Sequence, residues 1–239
     1  CKFIFILLIP WVTGYLLLNK HKIDSLDNKG LSFLLIQPNI NLYEKRNTFT
    51  KDKTLDAIIN QTRRSLDKNI ELIIWPESAI PFHRIQFKRV RLNLSNLLFD
   101  NVNQYLLTGN IFYKDENVYN SSILLNKEGI KNIYHKRQLV PIAEHVPLSE
   151  NIKLLEKINF GQANFSKGSK DVIFDINGYK FASLICFEST FPDINRRHAS
   201  KDIDAIIYLI NDGWYTTAPE PQQHTKQSIY RAIENRLPV

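Results

Sequence analysis

Hydrophobic positions along this chain fall into short runs separated by stretches of helical spacing. Leu31 to Ile36 is an apolar run closed by Gln37-Pro38-Asn39, which predicts a strand followed by a loop. Across Thr50 to Leu66, the residues Leu55, Ile58, Ile59, Thr62 and Leu66 recur at the three-and-four spacing of an amphipathic helix. Ile70 to Trp75 predicts a buried strand, stopped by Pro76. Val90, Leu94, Leu97 and Leu98 mark a second helix before a strand over Tyr105 to Phe112. Val118–Asn126 and Ile130–Tyr134 read as a hairpin around Lys127-Glu128-Gly129, and Asn177-Gly178 is a tight-turn signal between Val172–Ile176 and Tyr179–Cys186. Ile203 to Ile210 predicts another buried strand, ending in Asn211-Asp212-Gly213-Trp214. Gln222 to Arg236 reads as a helix with Ile229, Ala232 and Ile233 on one face. The alternation predicts an α/β fold and the hairpins predict mixed sheets.

One stretch differs in kind. From Phe3 to Asn19 there is no charge, with Lys2 before it and Lys20, His21 and Lys22 after it. A spanning helix needs about 20 mostly apolar residues and no fewer than roughly 17, so the run stands at the threshold. No small-residue cleavage site follows Leu18, which argues against a signal peptide. The expected organisation is therefore the end of a transmembrane helix over 1–22, a polar linker over 23–30 and one large domain over 31–239. Trp11 fits the membrane interface or helix packing. Lys20 and Lys22 favour a cytoplasmic exit by charge, but that rule weakens when a large domain must be translocated, so charge does not set the sidedness.

Composition narrows the classes. The 239 residues are 44% hydrophobic and 23% charged, enough for a core that needs no disulfides. The chain contains no methionine, which predicts a segment of a longer or processed protein. A net charge of +7 is scattered without a dense stripe. That argues against a nucleic-acid groove and for an anionic phospholipid surface as partner. The two cysteines, Cys1 and Cys186, give neither a disulfide framework nor a metal-ligand pattern. Cys1 opens the apolar run and reads as a membrane thiol. No metal or nucleotide motif is present, and no cofactor is expected.

Three residues stand in distinctive frames just past predicted strands: Glu77 in Ile74-Trp75-Pro76-Glu77-Ser78, Lys136 in Tyr134-His135-Lys136-Arg137, and Cys186 in Ser183-Leu184-Ile185-Cys186-Phe187-Glu188. Singly each has a plainer reading: an inert core thiol, a solvated loop acid, one of three surface charges. Together, a thiol, a carboxylate and an amine are what acyl transfer through a thioester needs. His135, His145 and His224 lie at motif edges without metal spacing and read as structural or solvated.

These frames resemble the nitrilase, or carbon–nitrogen hydrolase, superfamily, whose Glu-Lys-Cys triad occurs in this chain order. Within it they are most similar to the apolipoprotein N-acyltransferase family. The resemblance is carried by Gln37-Pro38-Asn39-Ile40, Trp75 to Pro81, Tyr134-His135-Lys136 with Leu139-Val140-Pro141 and Glu144-His145-Val146-Pro147, Ile185 to Glu188, and Asn211 to Trp214 with Gln223-His224 and Arg231 to Glu234. It implies a nitrilase-like αββα sandwich over 31–239, lacking the family's C-terminal end. It also implies a ping-pong reaction at a bacterial inner membrane, with the catalytic domain on the periplasmic side. Cys186 would take an acyl chain from a phospholipid and pass it to the amine of a diacylglyceryl-modified apolipoprotein. Glu77 would be the base and Lys136 the oxyanion stabiliser. Glu144 would orient Lys136 or assist Glu77, and Glu188 would buttress the nucleophile's loop. The chain departs from the family in having Phe187 where a Tyr is common, and Tyr43 as the sole aromatic near a position usually held by Trp. Tyr43 and Trp214 are the expected substrate contacts. Phe82, Ile85, Phe87, Phe160, Phe165 and Trp214 are candidates for lipid-facing loops, Phe87 fitting helix core better. The competing readings are a hydrolase of the same superfamily using water, and a non-catalytic binding module. The apolar run disfavours the first of these and the intact triad disfavours the second.

Overall fold

The structure, a computed structural model, describes residues 2–20, 30–39, 51–80, 84–99, 103–145, 164–214 and 219–239. The chain divides into two units, Cys1–Leu31 and Ser32–Val239. The first holds helix α1 (Lys2–Lys20), the apolar run of the sequence. Among its described side chains, Ile6, Ile9, Trp11, Tyr15 and Leu16 are exposed. Pro10 lies inside it, and Thr13 bonds the carbonyl of Ile9 at 2.7 Å and that of Pro10 at 3.2 Å. At about 1.5 Å per residue its 19 residues reach ~28 Å. Among the described residues no helix is long and apolar enough to cross a membrane. The expected helix exists, but the expected span is not established by it.

The second unit contains two mixed sheets. In the first, β1 (Phe33–Leu35), β2 (Leu72–Ile74) and β3 (Tyr105–Lys114) run parallel, and β4 (Asn117–Asn126) and β5 (Gly129–His135) continue antiparallel. In the second, β6 (Phe174–Ile176) pairs antiparallel with β7 (Tyr179–Ile185), which pairs parallel with β8 (Ala205–Leu209). Helices α2 (Lys51–Ser65) and α3 (Lys88–Ser95) cover one face of the first sheet. Their Leu55, Ile58, Ile59 and Leu94 pack with Ile73, Leu106, Ile123 and Leu125. Trp75 joins this core with its indole N–H on Thr62 Oγ1 at 3.0 Å.

Because side chains alternate along a strand, Leu72, Ile74, Leu107 and Leu124 turn to the opposite face, where they are equally buried. That face meets the second sheet, as Ser122 on β4 and Ser183 on β7 are bonded at 2.6 Å. Helix α4 (Pro192–Ala199) lies on the second sheet, with Tyr208 of β8 bonded to Asn195, and α5 (Glu220–Asn235) packs beside α4. The layering is α-β-β-α. Asn120, Ser122, Tyr134 and Lys136 share the face between the sheets, since Ser122 pairs with Tyr134 and the Lys136 N–H bonds the Asn120 carbonyl at 2.8 Å. The strand alternation thus aims Lys136 into the sandwich rather than out of it.

Candidate active site

Glu77 follows the Pro76 that ends β2, and it is 6% exposed. Ser78, next in the chain, takes the left-handed φ of 52°, which turns the backbone tightly against β3. Gly109 of β3 makes this approach possible, because a Cβ there would sit 2.6 Å from Glu77 Cα. Lys136, 1% exposed, enters from the end of β5. Its backbone is held by Gly168, whose N–H bonds the Lys136 carbonyl at 2.8 Å. Glu144 sits in a tight turn in which Ile142 has φ of 69°, a genuine outlier for a β-branched residue.

The polar groups converge. Lys136 Nζ lies 2.9 Å from Glu144 Oε1 and 3.7 Å from Glu77 Oε1. Asn120 Nδ2 donates to the same two oxygens, at 3.0 Å and 2.8 Å. Glu144 Oε2 accepts from the Val140 N–H at 2.9 Å. The Cys186 thiol is close enough to Glu77 and Lys136 that each acts on it electrostatically. Burial, reinforced by Glu144, pushes Glu77 above the ordinary carboxylate range, although Lys136, Asn120 and Cys186 pull the other way. Burial pushes the Cys186 thiol up as well, with Glu77, Glu144 and Asp212 adding to the rise and Lys136 opposing it. Burial pulls the Lys136 amine down, but Glu77, Glu144 and Cys186 outweigh it and hold the amine above its ordinary value, protonated. The arrangement is therefore a neutral thiol beside a carboxylate of enhanced basicity, with a fixed ammonium near both.

Cys186 opens a 3-10 turn (Cys186–Thr190) with φ of 48°, a conformation that costs an L residue about 1–2 kcal/mol. Glu188, fully buried, holds the turn. Its Oε2 accepts from the Ile185 N–H at 2.8 Å, while Oε1 accepts from the Tyr134 hydroxyl at 2.7 Å and the N–H groups of Arg137 and Gln138 at 2.8 and 3.1 Å. One carboxylate thus ties the Cys186 loop to the strand end that carries Lys136. Phe187 stacks edge-on against Phe191, ring centroids 5.0 Å apart.

Sequence reasoning missed Asn120 and the pair Asp212–His224. Asn120 had a signal, a polar residue in the otherwise apolar run of β4. His224 Nδ1 bonds Asp212 Oδ1 at 2.8 Å, and Cys186, Asp212 and His224 offer ligand atoms within 4.8 Å of one another. Two of those three groups are already engaged with each other. His135 is structural, stacked on Tyr119 at 4.2 Å and bonded to Ser121 at 2.7 Å, and burial, then Lys114, pushes it down to about 4.

Among the expected lipid-facing residues, two are corrected. Ile85 is fully buried in the helix-side core and Phe165 is 5% exposed, so neither faces a lipid. Phe87 was expected in the core, yet it is 52% exposed at the start of α3. The cause is the neighbouring Gln86, whose side chain bonds Tyr113 through both its carbonyl and its N–H, at 2.8 and 3.0 Å. That turns Ile85 inward and Phe87 outward. Trp214 closes a 3-10 turn (Asp212–Trp214). Cys1, Tyr43, Phe82 and Phe160 lie outside the described residues.

The apolipoprotein N-acyltransferase of Chlorobaculum tepidum is 31% identical over 245 residues, covering 89% of this chain and 45% of that protein. That of Rickettsia prowazekii is 35% identical over 186 residues, covering 73% and 36%. The chain spans less than half the length of these relatives. Among solved structures, a Nesterenkonia amidase of the nitrilase superfamily superimposes with a TM-score of 0.63 at 16% identity, covering 90% of this chain and 76% of that one. A Helicobacter pylori carbon-nitrogen hydrolase does so at 0.57 and 16%, covering 78% and 66%. At such identities these two speak for the fold alone. The family model for carbon-nitrogen hydrolases matches residues 35–239, and on that match the chain belongs to the carbon–nitrogen hydrolase family.

Proposed function

We propose that this domain transfers an acyl chain from a membrane phospholipid, through a thioester on Cys186, to the N-terminal amine of a diacylglyceryl-cysteine on an apolipoprotein. The observation that carries the reading is the convergence of the half-buried Cys186 thiol with the buried Glu77 carboxylate and Lys136 ammonium. The named relatives supply the substrate class. Cys186 Sγ attacks the ester carbonyl as Glu77 takes the thiol proton. Lys136 balances the oxyanion, an effect worth about 3–4 kcal/mol in a dry site. The C–O bond then breaks, and the departing lysophospholipid oxygen takes the proton back from Glu77. In the second half the incoming amine attacks the thioester and loses a proton to Glu77. The C–S bond breaks, the amide leaves, and Glu77 returns the proton to Cys186. Glu144 orients Lys136, and Glu188 supports the Cys186 loop. Helix α1, uncharged from Phe3 to Asn19, fits part of a membrane anchor at a bacterial inner membrane with the domain on the periplasmic side.

The test uses the complete protein in detergent, incubated with phospholipid and followed by intact mass. An acyl adduct is expected that Cys186→Ala abolishes, stable in water and discharged by a diacylglyceryl-cysteinyl peptide. Acylation that survives Cys186→Ala overturns the nucleophile. Rapid turnover of small amides without transfer to the peptide makes the chain a hydrolase using water instead.

A further inference from the structure

The mechanism above leaves one buried titratable pair beside the nucleophile unused. His224, on the second turn of α5, is 7% exposed. Its Nδ1 is engaged by Asp212 Oδ1 at 2.8 Å, from the turn after β8. Its Nε2 is buried with no hydrogen-bond partner. A ring nitrogen of His224 lies within 4.8 Å of Cys186 Sγ. We propose that His224, oriented by Asp212, is a supporting residue for Cys186, lending positive charge to the sulfur as it reacts.

The inference rests on the reading of Cys186 as nucleophile. Geometry and charge carry it further. Asp212 holds the ring through Nδ1, which leaves the buried, unpartnered Nε2 as the site of a further proton, and that proton makes the ring an imidazolium beside the sulfur. Asp212 disfavours a thiolate at Cys186, as do Glu77 and Glu144, while Lys136 opposes them. An imidazolium between Asp212 and Cys186 cancels the Asp212 contribution. The groups facing the ring favour that form: Asp212 by its hydrogen bond, Glu220 one turn earlier on α5, with one carboxylate oxygen buried and unpartnered, and the Cys186 carbonyl. Together they outweigh the burial that works against protonation.

The test is the pH dependence of Cys186 alkylation by iodoacetamide in the complete protein, read by intact mass. In the unmodified protein the rate should rise with pH but flatten where His224 loses its proton, above the ordinary imidazole value near 6.5. His224→Gln should slow alkylation near neutrality by about tenfold or more, as expected for a lost charge contribution to nucleophile activation, and should remove the flattening. Asp212→Asn should move the flattening to lower pH, with Glu220 retaining part of the effect. A uniform slowing with an unchanged profile would mean a merely structural role and overturn the proposal, as would a wild-type profile with no flattening, which needs no variant to fold. If phospholipid acylation persists in Cys186→Ala, the nucleophile reading has failed instead, and the alkylation profiles distinguish the two.

Discussion

Gly109 offers the sharpest test of how Glu77 is placed, because the perturbation is one methyl group on a residue that does no chemistry. A Cβ at position 109 would lie 2.6 Å from Glu77 Cα, 2.6 Å from Ser78 N and 2.9 Å from the Glu77 carbonyl carbon. All three are backbone atoms, so no side chain can swing aside. Restoring ordinary contact requires the Glu77 turn to retreat by about 1 Å, and a displacement of that size from a reacting centre costs roughly a hundredfold in rate. The bonds that seat the turn on β3 would lengthen with it: Gly109 N–H to Pro76 at 3.2 Å, Ile80 N–H to Gly109 at 3.4 Å, and Asn110 Nδ2 to Ile80 at 3.0 Å. Overpacking of this kind costs about 1–3 kcal/mol, which for a domain of this size lowers Tm by roughly 2–12 °C. Gly109→Ala should therefore remain folded yet form the acyl-enzyme about a hundredfold more slowly in single turnover. Gly30→Ala, where a Cβ meets nothing within 4 Å, is the control. Gly109→Ala with a wild-type acylation rate and unchanged Tm would refute the claim that this contact sets the position of Glu77.

Two further outcomes follow from the same geometry. Burial, with Glu144, holds Glu77 above the ordinary carboxylate range, and the base must be ionised to act, so acylation should fall on the acid side through a group titrating above that range. Glu77→Gln should cost about a hundredfold or more and abolish this limb, whereas Lys136→Met should cost as much and raise the limb further, since Lys136 draws Glu77 down. A limb at the ordinary carboxylate value would contradict the placement. Glu188→Gln should destabilise by about 2–4 kcal/mol, since an amide cannot accept at both oxygens and one charge-assisted bond becomes a donor facing a donor. Thermal melts measure the loss, and an unchanged Tm would remove Glu188 from its supporting role.

The strands and longer helices were legible because their signals are local. Alternation, apolar runs and the Asn177-Gly178 turn placed β1 to β8 to within a few residues of Phe33–Leu35, Leu72–Ile74 and the rest. Helix α4, Pro192–Ala199, was not anticipated, since eight residues carry little more than two turns of periodicity and three of the eight are basic. The frames around Glu77, Lys136 and Cys186 were legible as motifs. Their partners were legible only where they shared a frame, as Glu144 and Glu188 do. Asn120 reaches Glu77 across 43 positions, and Asp212 reaches His224 across 12. Such pairings are set by which strand ends meet, which no local pattern encodes. The exchange of roles between Ile85 and Phe87 has a similar origin, a side-chain bond from Gln86 to a strand 27 residues away.

Each of the three groups proposed for the chemistry is held by a residue that does none of it. Gly109 lets β3 lie directly under the Glu77 turn. Gly168, where a Cβ would meet the His135 carbonyl oxygen at 2.0 Å, lets the 164–173 segment lie against Lys136. Glu188 ties the left-handed Cys186 to the strand end bearing Lys136. Left-handed backbone at Ser78, Ile142 and Cys186 shows where strain is stored, beside Glu77, near Glu144 and at the sulfur, the pattern expected when surrounding structure fixes a reactive geometry. These supports lie on different elements, so their failures should be separable. Loss of the Gly109 contact misplaces the base, and loss of the Gly168 contact the cation. Loss of Glu188 misplaces the thiol. A site whose groups merely happened to be near one another would show no such division, because relaxation at one would be shared by all.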